Sequence, residues 1–149
     1  MLDGAAFLTA YKNAGGAIDL PTALDALASR ASAMPGAMCG FWGVCGSSAS
    51  IGAALSVIHG TGPMSDDAFY KDHMEYTSEA IRRIGAIGGP RCCKRNAYLS
   101  LITASNFVKR KYGIVMTVKP FSCGFSLLNK DCLGKRCPFN KEAVGQKSD

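Results

Sequence analysis

No stretch of the 149 residues approaches the roughly 20 uninterrupted apolar positions that a membrane-spanning helix needs. Pro, Gly, Ser or a charged residue interrupts every candidate. Residues 1–11 hold no Lys or Arg and only a short apolar run, with no small-residue cleavage signature after it, so nothing there reads as a secretory signal. There is no Gly-x-x-x-x-Gly-Lys-Ser/Thr loop and no Gly-x-Gly-x-x-Gly following a strand, which leaves nucleotide hydrolysis and Rossmann chemistry without support. Cys-x-x-Cys is absent, and with it the usual zinc-ribbon pair and the thioredoxin-type motif. No Cys-x3-Cys-x2-Cys run suggests radical S-adenosylmethionine chemistry. These absences lead to the expectation of a soluble, intracellular, cytoplasmic chain with no membrane partner.

The length suits one domain able to bury a core without disulfide staples. The expected boundaries are a single domain over 1–140 and a frayed tail over 141–149. In a reducing compartment the seven cysteines, Cys39, Cys45, Cys92, Cys93, Cys123, Cys132 and Cys137, argue for metal binding or thiol chemistry rather than a disulfide framework. The odd count points the same way. The net charge of +6 is unevenly spread. Residues 1–80 carry three basic and eight acidic side chains, whereas residues 81–149 carry fourteen basic and three acidic, a balance of −5 against +11. The second half should therefore attract anions: a negatively charged cluster, a phosphate-bearing molecule or RNA.

Glycine, proline and apolar spacing predict a mainly α domain. Ala5 to Asn13 reads as a short helix ended by Gly15-Gly16, and Pro21 opens a second that runs to about Met34. Met38 to Gly46 is a glycine-rich loop holding two cysteines and the only tryptophan, with Phe41 and Trp42 read as core or as a stacking surface. Ser47 to His59 is small or apolar on every face, the pattern of a buried central helix. Ser65-Asp66-Asp67 resembles a helix start, from which a stripe of Phe69, His73, Thr77, Ala80, Ile84 and Ile87 should reach Gly88-Gly89-Pro90. A third long helix is expected from about Arg91 to Tyr112, with Tyr98, Leu101, Ile102, Ser105, Val108 and Tyr112 on its apolar side and Gly113 as its stop. Ile114 to Val118 could supply one short β element. Pro120 to Phe139 reads as irregular.

Each cysteine group falls where structure changes. Cys39-x5-Cys45 sits in the glycine loop, Cys92-Cys93 in the first turn of the third long helix, and Cys123-x8-Cys132-x4-Cys137-Pro138 in the irregular segment. A helix start offers unpaired N–H groups and partial positive charge, which favour thiolates and anions. Arg91, Lys94 and Arg95 add cations around Cys92 and Cys93, so these three are the expected cofactor-binding side chains. Glycines beside the thiols let backbone N–H groups approach sulfur, one way of tuning an iron–sulfur centre. The seven cysteines are read as the candidate ligands, drawn from at least two of the three groups, of a [4Fe–4S]-type cluster serving sulfur or electron transfer, with a redox or sulfur-donor protein as partner. Two alternatives stand beside it. Zinc could hold the fold while the basic half contacts RNA, or Cys92 or Cys93 could be the nucleophile of a thiol or persulfide enzyme. His59 is a further candidate ligand, although it and His73 fit hydrogen-bonded core positions better. Glu75 and Glu79, near Arg82 and Arg83, read as surface ion pairs.

Four segments, CGFWGVCG with the small-residue helix after it, HGTGPMSDD, GGPRCCKR and CGFSLLNKDCLGKRCPF, span about residues 38–140. Together they resemble an uncharacterised cysteine-rich domain of unknown function from anaerobic bacteria and archaea, found alone or fused to an S-adenosylmethionine-dependent methyltransferase. The resemblance implies that all seven cysteines, with Arg91, Lys94 and Arg95, belong to one shared pattern. It does not carry methyltransferase activity to this chain, which lacks the glycine-rich cofactor loop and strand–helix alternation of such a domain.

Overall fold

The computed structural model describes residues 1–142. Among them the chain forms six helices: α1 (Leu2–Asn13), α2 (Leu20–Ser32), α3 (Met38–Phe41), α4 (Gly46–Ile58), α5 (Tyr70–Ile87) and α6 (Cys93–Tyr112). Two single 3-10 turns, Ser126–Leu128 and Gly134–Arg136, follow. The class is mainly α, as the helical spacing predicts. No described helix is long and apolar enough to cross a membrane.

Helix α4 is the centre of the molecule and packs against α1, α2, α5 and α6. Its small residues make this possible. A Cβ on Gly4 of α1 would lie 2.5 Å from the Ser50 carbonyl oxygen, and one on Gly52 would collide with Thr77 Oγ1 of α5. The Gly4 N–H donates to Ser50 Oγ at 3.1 Å. Around α4 the main core gathers Phe7, Leu8, Leu27, Ile51, Leu55, Tyr76, Phe107 and Val108, all essentially removed from water. A smaller cluster of Leu99, Cys137 and Phe139, joined by Tyr98, Phe121 and Cys123, lies beside it.

Several boundaries differ from the sequence reading, each for a local reason. Helix α5 starts at Tyr70 rather than Ser65. Asp67 Oδ1 accepts from the N–H groups of Phe69 (2.7 Å) and Tyr70 (3.1 Å), while Ser65 Oγ is used to accept from Gly62 and close the preceding turn. The fully buried residues of α5 are Asp72, Tyr76 and Ala80; of the expected stripe Ala80 is among them and Ile84 and Ile87 pack on the smaller cluster, whereas Asp72 and Tyr76 lie outside it. Asp72 is buried because Tyr112 donates to its Oδ2 at 2.9 Å and Lys111 lies 3.5 Å from Oδ1; Tyr76 donates to the Ser100 carbonyl. Helix α6 likewise buries polar residues, Arg95, Asn96, Ser100 and Thr103, that hydropathy alone sets outside. It begins at Cys93, with Cys92 immediately before it, and ends at Gly113, whose φ of 70° is open to glycine at no steric cost.

The loop expected at Met38–Gly46 contains the one-turn helix α3. Trp42 is 64% exposed and Phe41 81%, so neither packs in the core. The expected β element at 114–118 does not form. No neighbouring strand offers it a ladder; instead Ser105 Oγ donates to the Met116 carbonyl at 2.8 Å, and Ile114 and Met116 pack against the main core. Among the described residues the only β contact is an isolated parallel bridge between Cys123 and Asn140. Of the expected tail, residues 143–149 lie outside the described residues.

Candidate metal centre

The start of α6 and the segment after residue 120 enclose a cavity of about 250 Å³. Cys92, Cys93, Cys123, Cys132 and Cys137 all line it, together with Arg91, Lys94 and Arg95. Two stretches separated by some thirty residues of chain thus bring five of the seven thiols and all three expected cations to one place. Cys39 and Cys45 line a second cavity of about 250 Å³, bounded by the α2–α3 connection and the start of α4. Arg91 and Cys93 form part of both walls.

The C-terminal wall is held by aromatic packing and a few hydrogen bonds. Phe121 stacks on Phe139 with ring centroids 5.2 Å apart, and Tyr98 of α6 meets both rings edge-on. The Cys123 N–H donates to the Phe139 carbonyl at 2.6 Å. The sequence reading did not single out Tyr98, Phe121 or Phe139 as residues of the site. A signal was present, since an aromatic lies two positions from Cys123 on each side and two after Cys137.

Backbone amides point at sulfur as the glycine pattern led one to expect. The Phe125 N–H donates to Cys123 Sγ, and the Gly134 N–H to Cys132 Sγ, each at 3.4 Å. Across the molecule, Asn96 Nδ2 lies 3.6 Å from Cys45 Sγ.

The three cations have different occupations. Arg95 is only 3% exposed, and its Nη2 donates to the carbonyls of Gly88 (2.8 Å) and Pro90 (3.1 Å). It is a clamp that ties the turn before α6 to the helix and so sets where Cys92 and Cys93 stand. Lys94 Nζ lies 4.3 Å from the centre of the Phe125 ring, across the cavity mouth. Arg91 is exposed, shared by the two cavities and not committed to any described carboxylate.

Among the described residues neither cavity is lined by a carboxylate or an imidazole, which leaves the thiols as the strong metal donors. Among the described residues no group of three or more His, Cys, Asp or Glu side chains is gathered closely enough to hold a metal ion. A tetrahedral zinc with Zn–S bonds of about 2.3 Å requires thiolates roughly 3.8 Å from one another. A polynuclear cluster spreads its thiolates over several metal atoms. Soft donors distributed around a roomy cavity match the second case in kind.

The histidines line neither cavity. The His59 ring stacks on Phe69 at 4.1 Å with a 3° tilt and meets Tyr112 edge-on at 5.0 Å, while His73 sits against Tyr70. His59 Nε2 and His73 Nδ1 are buried without a hydrogen-bond partner. Burial holds His59 below its ordinary value of 6.5, against the pull of Asp72 and Asp67 and with some help from His73. A neutral-preferring histidine makes the unfolded chain bind more protons than the folded one, so its contribution is complete above its unfolded pKa and is lost as pH falls below it. Thermal melts should therefore show the midpoint dropping as pH goes from about 7 to about 5, and His59→Phe should flatten that drop. An unchanged slope in the variant would remove His59 as its source.

The expected surface pairing of Glu75 and Glu79 occurs, with different partners: Lys111 and Arg110 of α6 rather than Arg82 and Arg83. No curated protein and no solved structure matches the chain. Residues 1–140 match one family model over nearly the whole length, and the chain belongs to that family of unknown function (DUF5714).

Proposed function

We propose that the first cavity, at the start of α6, binds an iron–sulfur cluster and that the protein serves sulfur or electron transfer. The observation that carries the reading is the convergence of five thiols from two distant segments on one cavity whose charged lining groups, among the described residues, are three cations. Cys92, Cys123, Cys132 and Cys137 would hold the cluster, since four thiolates complete the ligand set of a [4Fe–4S] centre. When bound, such a cluster supplies one-electron chemistry, or a Lewis-acidic position at any iron left without a thiolate.

The chain's own groups have definable parts in this. The amides of Phe125 and Gly134 donate to Cys123 and Cys132 sulfur, a contact that tunes an iron–sulfur centre when one is bound. Arg91 and Lys94 offset the negative charge of an anionic cluster. Tyr98, Phe121 and Phe139 close the inner side with apolar surface and restrict water there, which raises the weight of every local charge.

Protein purified without oxygen should contain iron and acid-labile sulfide in near-stoichiometric amounts, with a broad absorption band around roughly 400 nm. Zinc without sulfide would replace this reading with a structural metal site. Neither metal would end it.

A further inference from the structure

The second cavity has its own chemistry. It is lined by Cys39, Cys45 and Cys93, with Arg91 and Asn96, and holds no carboxylate. The Arg91 guanidinium beside three thiols suits an anionic, sulfur-containing ligand. Cys93 is the only cysteine that lines both cavities, and it is exposed, whereas Cys45 and Cys137 are buried and the other four partly so. If the first cavity uses Cys92, Cys123, Cys132 and Cys137 as ligands, Cys93 is the surplus thiol of that set.

We propose that the second cavity receives a sulfane-sulfur donor, an anionic persulfide or polysulfide, and that Cys93 accepts the sulfur in the wall shared with the first cavity. The inference rests on the cluster reading only in treating Cys93 as surplus to the ligands. Arg91 binds the anionic end of the donor R–S–SH. The Cys93 thiolate attacks its terminal sulfur, a bond forms between Cys93 Sγ and that sulfur, and the donor S–S bond breaks. R–S⁻ leaves with the bonding pair, and the proton stays on the transferred sulfur. The product is Cys93–S–SH, with no net oxidation and no further reactant. Cys39 and Cys45 provide polarizable walls suited to sulfur.

The test treats anoxically purified protein with either inorganic polysulfide or cysteine persulfide, removes excess reagent and maps the added sulfur by peptide mass spectrometry. Iron and acid-labile sulfide are measured on the same sample. One added sulfur, found on the peptide at Cys93, is expected; whichever reagent labels at the lower concentration identifies the donor type. Cys93→Ser should lose the label, Arg91→Ala should need at least about tenfold more donor, corresponding to one charge-assisted hydrogen bond of about 1.4 kcal/mol, and Cys39→Ser should keep the label on Cys93. Label on Cys39 or Cys45, or spread evenly over the seven cysteines, overturns the proposal. Should Cys93→Ser fail to fold, unaltered labelling in Arg91→Ala overturns it instead. Iron-loaded protein that takes up no sulfur defeats this inference and leaves the cluster reading standing, while labelled protein without iron does the reverse.

Discussion

Phe107→Ala lowers the unfolding free energy by about 3–5 kcal/mol, the usual cost of emptying a fully buried phenylalanine site. Phe107 is 0% exposed in the main core, meets Tyr76 edge-on at 5.9 Å and Tyr112 at 6.2 Å, and has Arg110 and Lys111 over its ring. Removing it leaves a cavity that the tightly spaced α4 cannot collapse into, since Gly4 and Gly52 already set the helices at their closest approach. For a chain of this size the melting midpoint should fall by roughly 6–20 °C. Leu127→Ala is the matched control. Leu127 is 99% exposed, so its loss should change stability by no more than about 0.5 kcal/mol. Urea unfolding followed by circular dichroism measures both, and a Phe107→Ala loss below about 1 kcal/mol would contradict the core as described.

Cys132→Ser and Cys137→Ser should each cut the iron held by anoxically purified protein at least about tenfold, while Cys39→Ser leaves it unchanged. The two ligand variants differ in a useful way. Cys137 is 8% exposed and packs with Leu99 and Phe139, so a serine there also places a hydroxyl in an apolar cluster and lowers stability. Cys132 is partly exposed and outside that cluster, so its replacement removes a ligand with little effect on the helical body. Iron loss in Cys132→Ser with an unaltered melting curve assigns the effect to coordination. Iron retained in both variants would move the ligands away from the cavity at the start of α6.

The helical class and the central position of α4 were legible because they follow from terms that act locally: glycine and proline breaks, and small apolar residues on all faces. The grouping of Cys92 and Cys93 with Cys123, Cys132 and Cys137 was legible as a list of residues. Its division into two cavities was not, because it depends on how α2, α3 and α4 pack beside α6. The inward side of α5 was misread in part, since Asp72 and Tyr76 are buried through partners forty and twenty-four residues away. No window of sequence contains both members of such a pair. Arg95 looked like a cofactor-binding cation from its neighbours, whereas its guanidinium is engaged by the carbonyls of Gly88 and Pro90. The short apolar run at 114–118 has strand composition, but a strand requires a partner, and α6 takes its place.

All six helices end by Tyr112, and the main core takes in nothing later than Met116, whereas Cys123, Cys132 and Cys137 belong to the last part of the chain. During synthesis from the N-terminus the helical scaffold can therefore begin to assemble before three of the five thiols of the cavity at the start of α6 have left the ribosome. The remaining wall docks onto an already folded body through Tyr98, Phe121, Phe139 and the Cys123–Phe139 hydrogen bond. Order of emergence thus allows a helical frame to form first, with the segment that carries Cys123, Cys132 and Cys137 closing onto it afterwards.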